Sequence, residues 1–323
     1  MTERTFLKDV GTPHSVNAVG SARAWQVSHL RDDSTIPPLI YVIESDIGQQ
    51  FLLGREISGR SKFNMIRYIA KFFVELFAEQ LSGKELCQYL ILRDAYPFDL
   101  QFAFGGVPPY DLFLLPTGFI KLQKVLNDGA TDWTIQAQDF IREYRGDAWL
   151  IPDVAIASGS TIAYFLRHGF DRCVPKQVYL ITACGSLEGI QRIYEECLKK
   201  NVDLIPIFSQ AIFEVAKTGN LPHLPLTGLS LMSPGSITTK ELYEKALQRY
   251  QGTQMCCIGD LGQSLEDPLQ YSIDTLSEIQ DLGMDPKKED WSSWTINPQS
   301  EEMKRKVEAV NPPLADYFKE IWK

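Results

Sequence analysis

The sequence has no excess of positive charge: 41 Asp and Glu outnumber 32 Lys and Arg, for a formal net charge of -9. A broad nucleic-acid or anionic-membrane surface needs a positive field, so neither partner is expected. A phosphorylated small molecule stays open, because backbone N–H groups hold phosphate without any net positive charge. No apolar run reaches the ~18 residues of a membrane span. The opening MTERTFLKDVG has no apolar signal core either, and the expected location is cytoplasmic. None of the six cysteines (Cys87, Cys173, Cys184, Cys197, Cys256, Cys257) forms a C-x-x-C pair, and several lie in apolar runs such as VYLITAC. They read as reduced, mostly buried thiols. The four histidines, His14, His29, His168 and His223, have no ligand spacing, which excludes a structural zinc site. Two nucleotide-binding signatures are also missing, G-x-x-x-x-G-K-[ST] and G-x-G-x-x-G.

The 323 residues, 44% hydrophobic and 23% charged, suffice for one large domain or two modest ones. Residues 1–25 show little periodicity and read as an irregular arm. Apolar residues at helical spacing predict an amphipathic helix from Asn64 to Leu81. LCQYLIL, Leu86 to Leu92, reads as a strand, and the Pro- and Gly-rich AYPFDLQFAFGGVPPYD after it as a loop. LFLLP reads as a short strand ending at Thr117-Gly118, and IQAQDFIREYR as a helix. From Ala148 the pattern is regular: strand AWLIPDVAIA, helix STIAYFLRHGF, strand QVYLITA, helix LEGIQRIYEECLKK, strand VDLIPIF. TTKELYEKALQRY is a further helix opened by a Thr cap, and TQMCCIGD a further strand. Such alternation implies right-handed β-α-β units, hence an α/β fold with a central, mostly parallel sheet flanked by helices. The expected division is an N-terminal arm and helical segment over 1–85, an α/β core over 86–275 and a C-terminal extension over 276–323.

Chemistry concentrates where one strand meets its helix. Asp153 is followed by three apolar residues and then by Ala157, Ser158, Gly159, Ser160 and Thr161, which open a helix. Small residues let the backbone close around an anion, and the free N–H groups and dipole of a helix start favour it. Three hydroxyls add donors, and the carboxylate is placed to accept from vicinal ribose hydroxyls. The same Ser-Gly-Ser-Thr would also serve as a plain N-cap after a strand, with Asp153 an exposed turn residue.

Asp153 to Thr161 resembles the phosphoribosyl-phosphate loop of the type I phosphoribosyltransferases, most closely the uracil branch, which carries Asp, Pro and two apolar residues before Ala-Thr-Gly-Gly-Ser. Like that branch, the chain lacks a second acid, with Val154 at that position. Weaker echoes occur in family order over roughly residues 27 to 265: His29 to Thr35, Ile91-Leu92-Arg93-Asp94-Ala95, Glu188-Gly189-Ile190, and Ile258-Gly259-Asp260-Leu261-Gly262-Gln263. The resemblance implies that 157–161 hold the 5′-phosphate, Asp153 the ribose hydroxyls, Arg93 pyrophosphate, and Ile258, Gly259, Asp260 and Gly262 the base. It also implies Mg²⁺ carried by the substrate, phosphoribosyl pyrophosphate and a heterocyclic base as partners, and a homodimer. Lys121, Arg142 and Arg145 are candidates for the family's basic loop residue. The chain departs from the family where Asp94 and Ala95 replace Ala and Gly, and where Cys256, Cys257 and Ile258 replace Pro-Gly-Leu. About 35 residues also separate Pro222 from Gly259. The expected activity is therefore phosphoribosyl transfer to a base other than uracil, and the alternative a non-catalytic sensor that kept the phosphate loop.

Overall fold

Residues 5–8, 14–27, 35–54, 59–92, 98, 100–105, 115–126, 133–139, 144–214 and 236–250 are described by a computed structural model. The chain divides into two compact units, one of residues 1–55 and 65–260, the other of 56–64 and 261–323. The sheet belongs to the first. Its elements begin with β1 (Thr5–Phe6), β2 (His14–Val19), β3 (Ala22–Val27), β4 (Ile40–Glu44), α1 (Asp46–Leu53), α2 (Gly59–Leu81) and β5 (Leu86–Leu92). Next come α3 (Leu100–Phe104), β6 (Thr117–Leu126), β7 (Trp133–Asp139), β8 (Ala148–Ile156), α4 (Ser160–Phe170), β9 (Gln177–Ser186) and α5 (Leu187–Lys199). The last are β10 (Asp203–Ser209), β11 (Ala211–Phe213), β12 (Ile237–Thr238) and α6 (Lys240–Tyr250).

The strands lie in the order β2-β3-β4-β10-β9-β8-β5-β6-β7. Every pair from β4 to β6 is parallel, while β2–β3, β3–β4 and β6–β7 are antiparallel. The fold is thus α/β, with a mostly parallel sheet flanked by helices. The central strands are buried on both faces, as their unbroken apolar runs require. Ile162, Phe165 and Leu166 of α4 and Ile190, Ile193 and Cys197 of α5 join Trp149, Ile151, Val178, Leu180 and Val42 in one core. Tyr41, of opposite parity to Val42, meets Phe77 of α2 edge-on with ring centroids 4.9 Å apart, so α2 covers the other face.

The strand and helix alternation from Ala148 to Ser209 stands where the pattern puts it, and α2 contains the expected Asn64–Leu81 helix. Four local expectations are corrected. The N-terminal arm contains strands β1 to β3, and the Pro- and Gly-rich loop after β5 contains the short helix α3. The strand expected to end at Thr117-Gly118 instead begins at Thr117. Ile135 to Asp139, read as helical, belong to β7, an edge strand held to β6 by antiparallel pairing. Residues 251–323, including TQMCCIGD, lie outside the described residues.

Candidate active site

The sheet forks. β5 pairs with β8 only through Leu86–Gln88 against Ala148–Leu150. Beyond that point β5 stays with β6, up to Leu92 against Lys121, and β8 stays with β9, up to Ile156 against Gly185. From this seam the chain winds outward both ways, β5 to β6 on one side and β8 to β9 to β10 on the other. It is a topological switch point, and parallel sheets bind ligands outside the carboxyl ends of the strands at such a point. Buried Gln88 secures the base of the fork. Its backbone N–H donates to the Pro116 carbonyl at 2.8 Å, its amide nitrogen donates to Thr117 Oγ1 at 3.2 Å, and its amide oxygen accepts from Leu100 N–H at 2.7 Å.

Asp153 sits in β8 past the last rung shared with β5, in register with Thr182 of β9. It is partly exposed between buried Pro152 and buried Val154. Trp149, Ile151 and Ile156 all enter the same core although 151 and 156 differ in parity, so strict alternation breaks between them. The Thr182 hydroxyl donates to the Cys184 carbonyl at 2.8 Å and lies 3.4 Å from the Val154 carbonyl in that stretch.

After Ile156 the chain turns through Ala157, Ser158 and Gly159, and α4 starts at Ser160. Gly159 is its N-cap, with φ of +67°, a left-handed conformation that disfavours any Cβ. No side chain caps this helix, and its first turn has no acidic residue. By contrast, Ser45 Oγ accepts from Gly48 N–H at the start of α1 and Ser186 Oγ from Gly189 N–H at the start of α5. The Ser158 and Ser160 hydroxyls bond to each other at 3.0 Å. Of the plain-cap alternative, the N-cap does lie within Ser-Gly-Ser-Thr, at Gly159, while Asp153 belongs to the strand, ahead of the turn.

A second turn, at the end of β9, interlocks with the first. The Ser186 hydroxyl donates to the Ala157 carbonyl while accepting from Gly189 N–H at 2.9 Å. A Cβ on Gly159 would overlap the Gly189 carbonyl, and one on Gly189 would overlap the Ala157 carbonyl. The sequence singled out Glu188 and Gly189 but not Ser186. A Ser three residues before a Gly at a helix start is the cap signal that could have found it.

The structure therefore brings together Asp153, Ala157, Ser158, Gly159, Ser160 and Thr161 on one side of the fork. Arg93, Asp94 and Ala95 follow Leu92, the last residue of β5, and lie outside the described residues, as do Ile258, Gly259, Asp260, Gly262 and Arg142. Lys121 is in β6. Arg145 precedes β8, and its carbonyl accepts from Trp149 Nε1 at 2.8 Å. It stands at the amino end of β8, opposite the fork.

No protein-family model and no curated protein matches the chain. Solved structures to which parts of the chain are similar include the AQ2163 protein of Aquifex aeolicus, at 18% identity and a TM-score of 0.39, over 56% of this chain and 97% of that one. Another is the adenine phosphoribosyl transferase of Trypanosoma brucei in complex with AMP, pyrophosphate and ribose-5-phosphate, at 12% identity and a TM-score of 0.36, over 53% of this chain and 83% of that one. A third is a hypoxanthine phosphoribosyltransferase of Staphylococcus aureus, at 17% identity and a TM-score of 0.29, over 38% and 63% of the two chains. Among the described residues no helix is long and apolar enough to cross a membrane.

Proposed function

We infer that this chain is a phosphoribosyltransferase, joining a nitrogen of a heterocyclic base other than uracil to the ribose 5-phosphate of phosphoribosyl pyrophosphate. The observation that carries this reading is the fork, with a carboxylate and an uncapped helix start on the same strand end at the switch point. Residues 157–161 take the 5′-phosphate through backbone N–H groups and hydroxyls. Asp153 accepts from the ribose hydroxyls. Arg93, next in the chain after β5, binds pyrophosphate, and Ile258, Gly259, Asp260 and Gly262 serve the base.

The base nitrogen attacks C1′ as the bond from C1′ to pyrophosphate breaks. The attacking nitrogen's proton leaves to solvent, and the pyrophosphate carries away the bonding pair. No protein nucleophile is needed, and the rate gain comes from alignment and charge stabilisation. Asp153 contributes by fixing the sugar's orientation and by its negative charge near a C1′ that becomes cationic.

Mg²⁺ fits as a substrate-borne ion. The motif supplies one carboxylate and three hydroxyls, too few to cage by themselves a hard cation that takes six oxygen ligands. Its ligands would be mainly substrate oxygens and water, with Asp153 able to add a carboxylate oxygen, and it would neutralise the departing pyrophosphate.

Two changes favour a sensor that binds without turnover: Asp94 beside Arg93, a carboxylate where pyrophosphate charge would gather, and Ala95, which restricts close backbone approach. A pyrophosphate-release assay over a panel of nucleobases and related heterocycles separates the two. Release with at least one base other than uracil, and little with uracil, is expected. Tight binding of phosphoribosyl pyrophosphate with no release from any base would establish the sensor, and efficient formation of uridine monophosphate would restore the uracil branch.

A further inference from the structure

Peptide geometry decides which way the N–H groups of a phosphate loop face. In a trans peptide the carbonyl and the following N–H point to opposite sides. Fixing one therefore aims the other. In the turn between β8 and α4, two carbonyls are fixed. The Gly159 carbonyl accepts from Ala163 N–H at 2.9 Å, the first bond of α4, which leaves Ser160 N–H directed outward from the helix start. The Ala157 carbonyl is fixed differently, by the hydroxyl of Ser186 on the neighbouring strand.

Ser186 is fully buried and makes its bonds in both directions, donating to Ala157 and accepting from Gly189. Packing reinforces this arrangement. Gly159 and Gly189 each lie so close to the other turn that neither could carry a Cβ without displacing backbone. The Ala157 carbonyl is thus held toward the α5 turn by a hydrogen bond and by backbone contact together. Its partner across the same peptide, Ser158 N–H, is held toward the opposite side.

We propose that Ser186 is a positioning residue for phosphate binding. It never touches the ligand, but its bond to the Ala157 carbonyl presents Ser158 N–H to the 5′-phosphate. The proposal rests on the assignment of residues 157–161 to that phosphate. It deepens that assignment by making one α5 cap set the geometry of the α4 anion site. Ser160 N–H serves as the internal control, because the α4 helix bond orients it without Ser186.

The test uses the full chain, ribose 5-phosphate as the probe, and the amide resonances of Ser158 and Ser160 followed by ¹H–¹⁵N NMR. In the unaltered protein both amides should shift on titration. In Ser186→Ala the Ser158 response should collapse while that of Ser160 persists, with affinity for ribose 5-phosphate about five- to tenfold weaker, the worth of one oriented hydrogen bond. Ser186→Thr, which keeps the hydroxyl, should restore the Ser158 response. Should Ser186→Ala not fold, Ser186→Cys keeps the volume with a weaker donor and carries the same comparison.

Unchanged responses of both amides would overturn the proposal. Loss of both together would also overturn it, showing a merely structural role. If ribose 5-phosphate moves neither amide in the unaltered protein, the phosphate assignment itself fails and the proposal falls with it.

Discussion

Asp153 and Gly159 show how far single residues could be read from the sequence. Both stood out because chemistry and spacing were local: a carboxylate, three apolar residues, then small residues opening a helix. Gly159 has a reason that local sequence cannot contain, since what excludes its side chain is the carbonyl of Gly189, 30 residues on. Ser186 was missed for the same cause, as its partner Ala157 is 29 residues away and adjacent only through the β8–β9 register. Asp153 offers a clean test at this scale. Asp153→Asn keeps size and one acceptor but removes the charge that strengthens hydrogen bonds to ribose hydroxyls. Such bonds are worth roughly 1.5–3 kcal/mol, so affinity for phosphoribosyl pyrophosphate should fall about ten- to a hundredfold. Because Asp153 is partly exposed at the edge of the fork, the melting temperature should move little. Titration calorimetry and thermal melting on this one variant check both. Normal affinity beside a clearly lowered melting temperature would make Asp153 a structural residue.

Among the elements, the central parallel strands and the helices that bury apolar faces against them were legible, and the antiparallel flanking strands β2, β3 and β7 were not. The bounds of α4 match the pattern because its apolar residues repeat at helical spacing from Ser160 to Phe170. β7 carries the opposite signal, with Trp133, Ile135 and Ala137 alternating with Thr134, Gln136 and Gln138, but a reading begun at Ile135 cut that alternation short. β2 and β3 are six residues each, and their pairing partners matter more than their composition. The junction between α4 and α5 depends on a carboxylate that no periodicity marks. Glu196 is 6% exposed and receives Arg167 at 2.9 Å and Lys199 at 2.9 Å. Burial pushes its carboxyl up, but the hydrogen bonds and charge of Arg167 and Lys199 outweigh this and hold it below its ordinary 4.5. A carboxylate depressed on folding contributes stability above its unfolded pKa and loses it as pH falls through the folded value. Arg167 and Lys199 are well exposed, at 63% and 61%, so solvent screening reduces the effect. Glu196→Gln should therefore cost about 1 kcal/mol at neutral pH. Denaturant melts from pH 7 downward should show that cost shrinking below pH 4.5, as the unaltered protein takes up its proton. A cost independent of pH would mean that Glu196 acts through packing alone.

For the whole molecule, the decisive feature is the order of strands, which no local window contains. Alternation from Ala148 implied parallel pairing, but the seam between β5 and β8 comes from two strands roughly 60 residues apart in the chain being neighbours. That seam gathers Asp153 and residues 157–161 at one carboxyl end, where strand order predicts a ligand. Overall charge bears on how a ligand would be held there. With a formal charge of -9, the molecule has no general attraction for polyanions, and the uncapped start of α4 supplies N–H groups and a dipole instead of lysines. Binding of this kind depends on fit more than on ligand charge. Phosphoribosyl pyrophosphate with Mg²⁺ should therefore stabilise the folded chain by mass action, by roughly 2.7 kcal/mol at ~100 times its dissociation constant. Ribose 5-phosphate should act in the same direction through the shared phosphate. ATP is a comparably charged polyanion but finds no triphosphate loop in this sequence, so it should raise the melting temperature much less. Thermal melts with each ligand at matched Mg²⁺ and ionic strength make the comparison. Equal stabilisation by ATP would show that the site reads charge rather than the sugar phosphate, and no stabilisation by phosphoribosyl pyrophosphate would remove the ligand from this fork altogether.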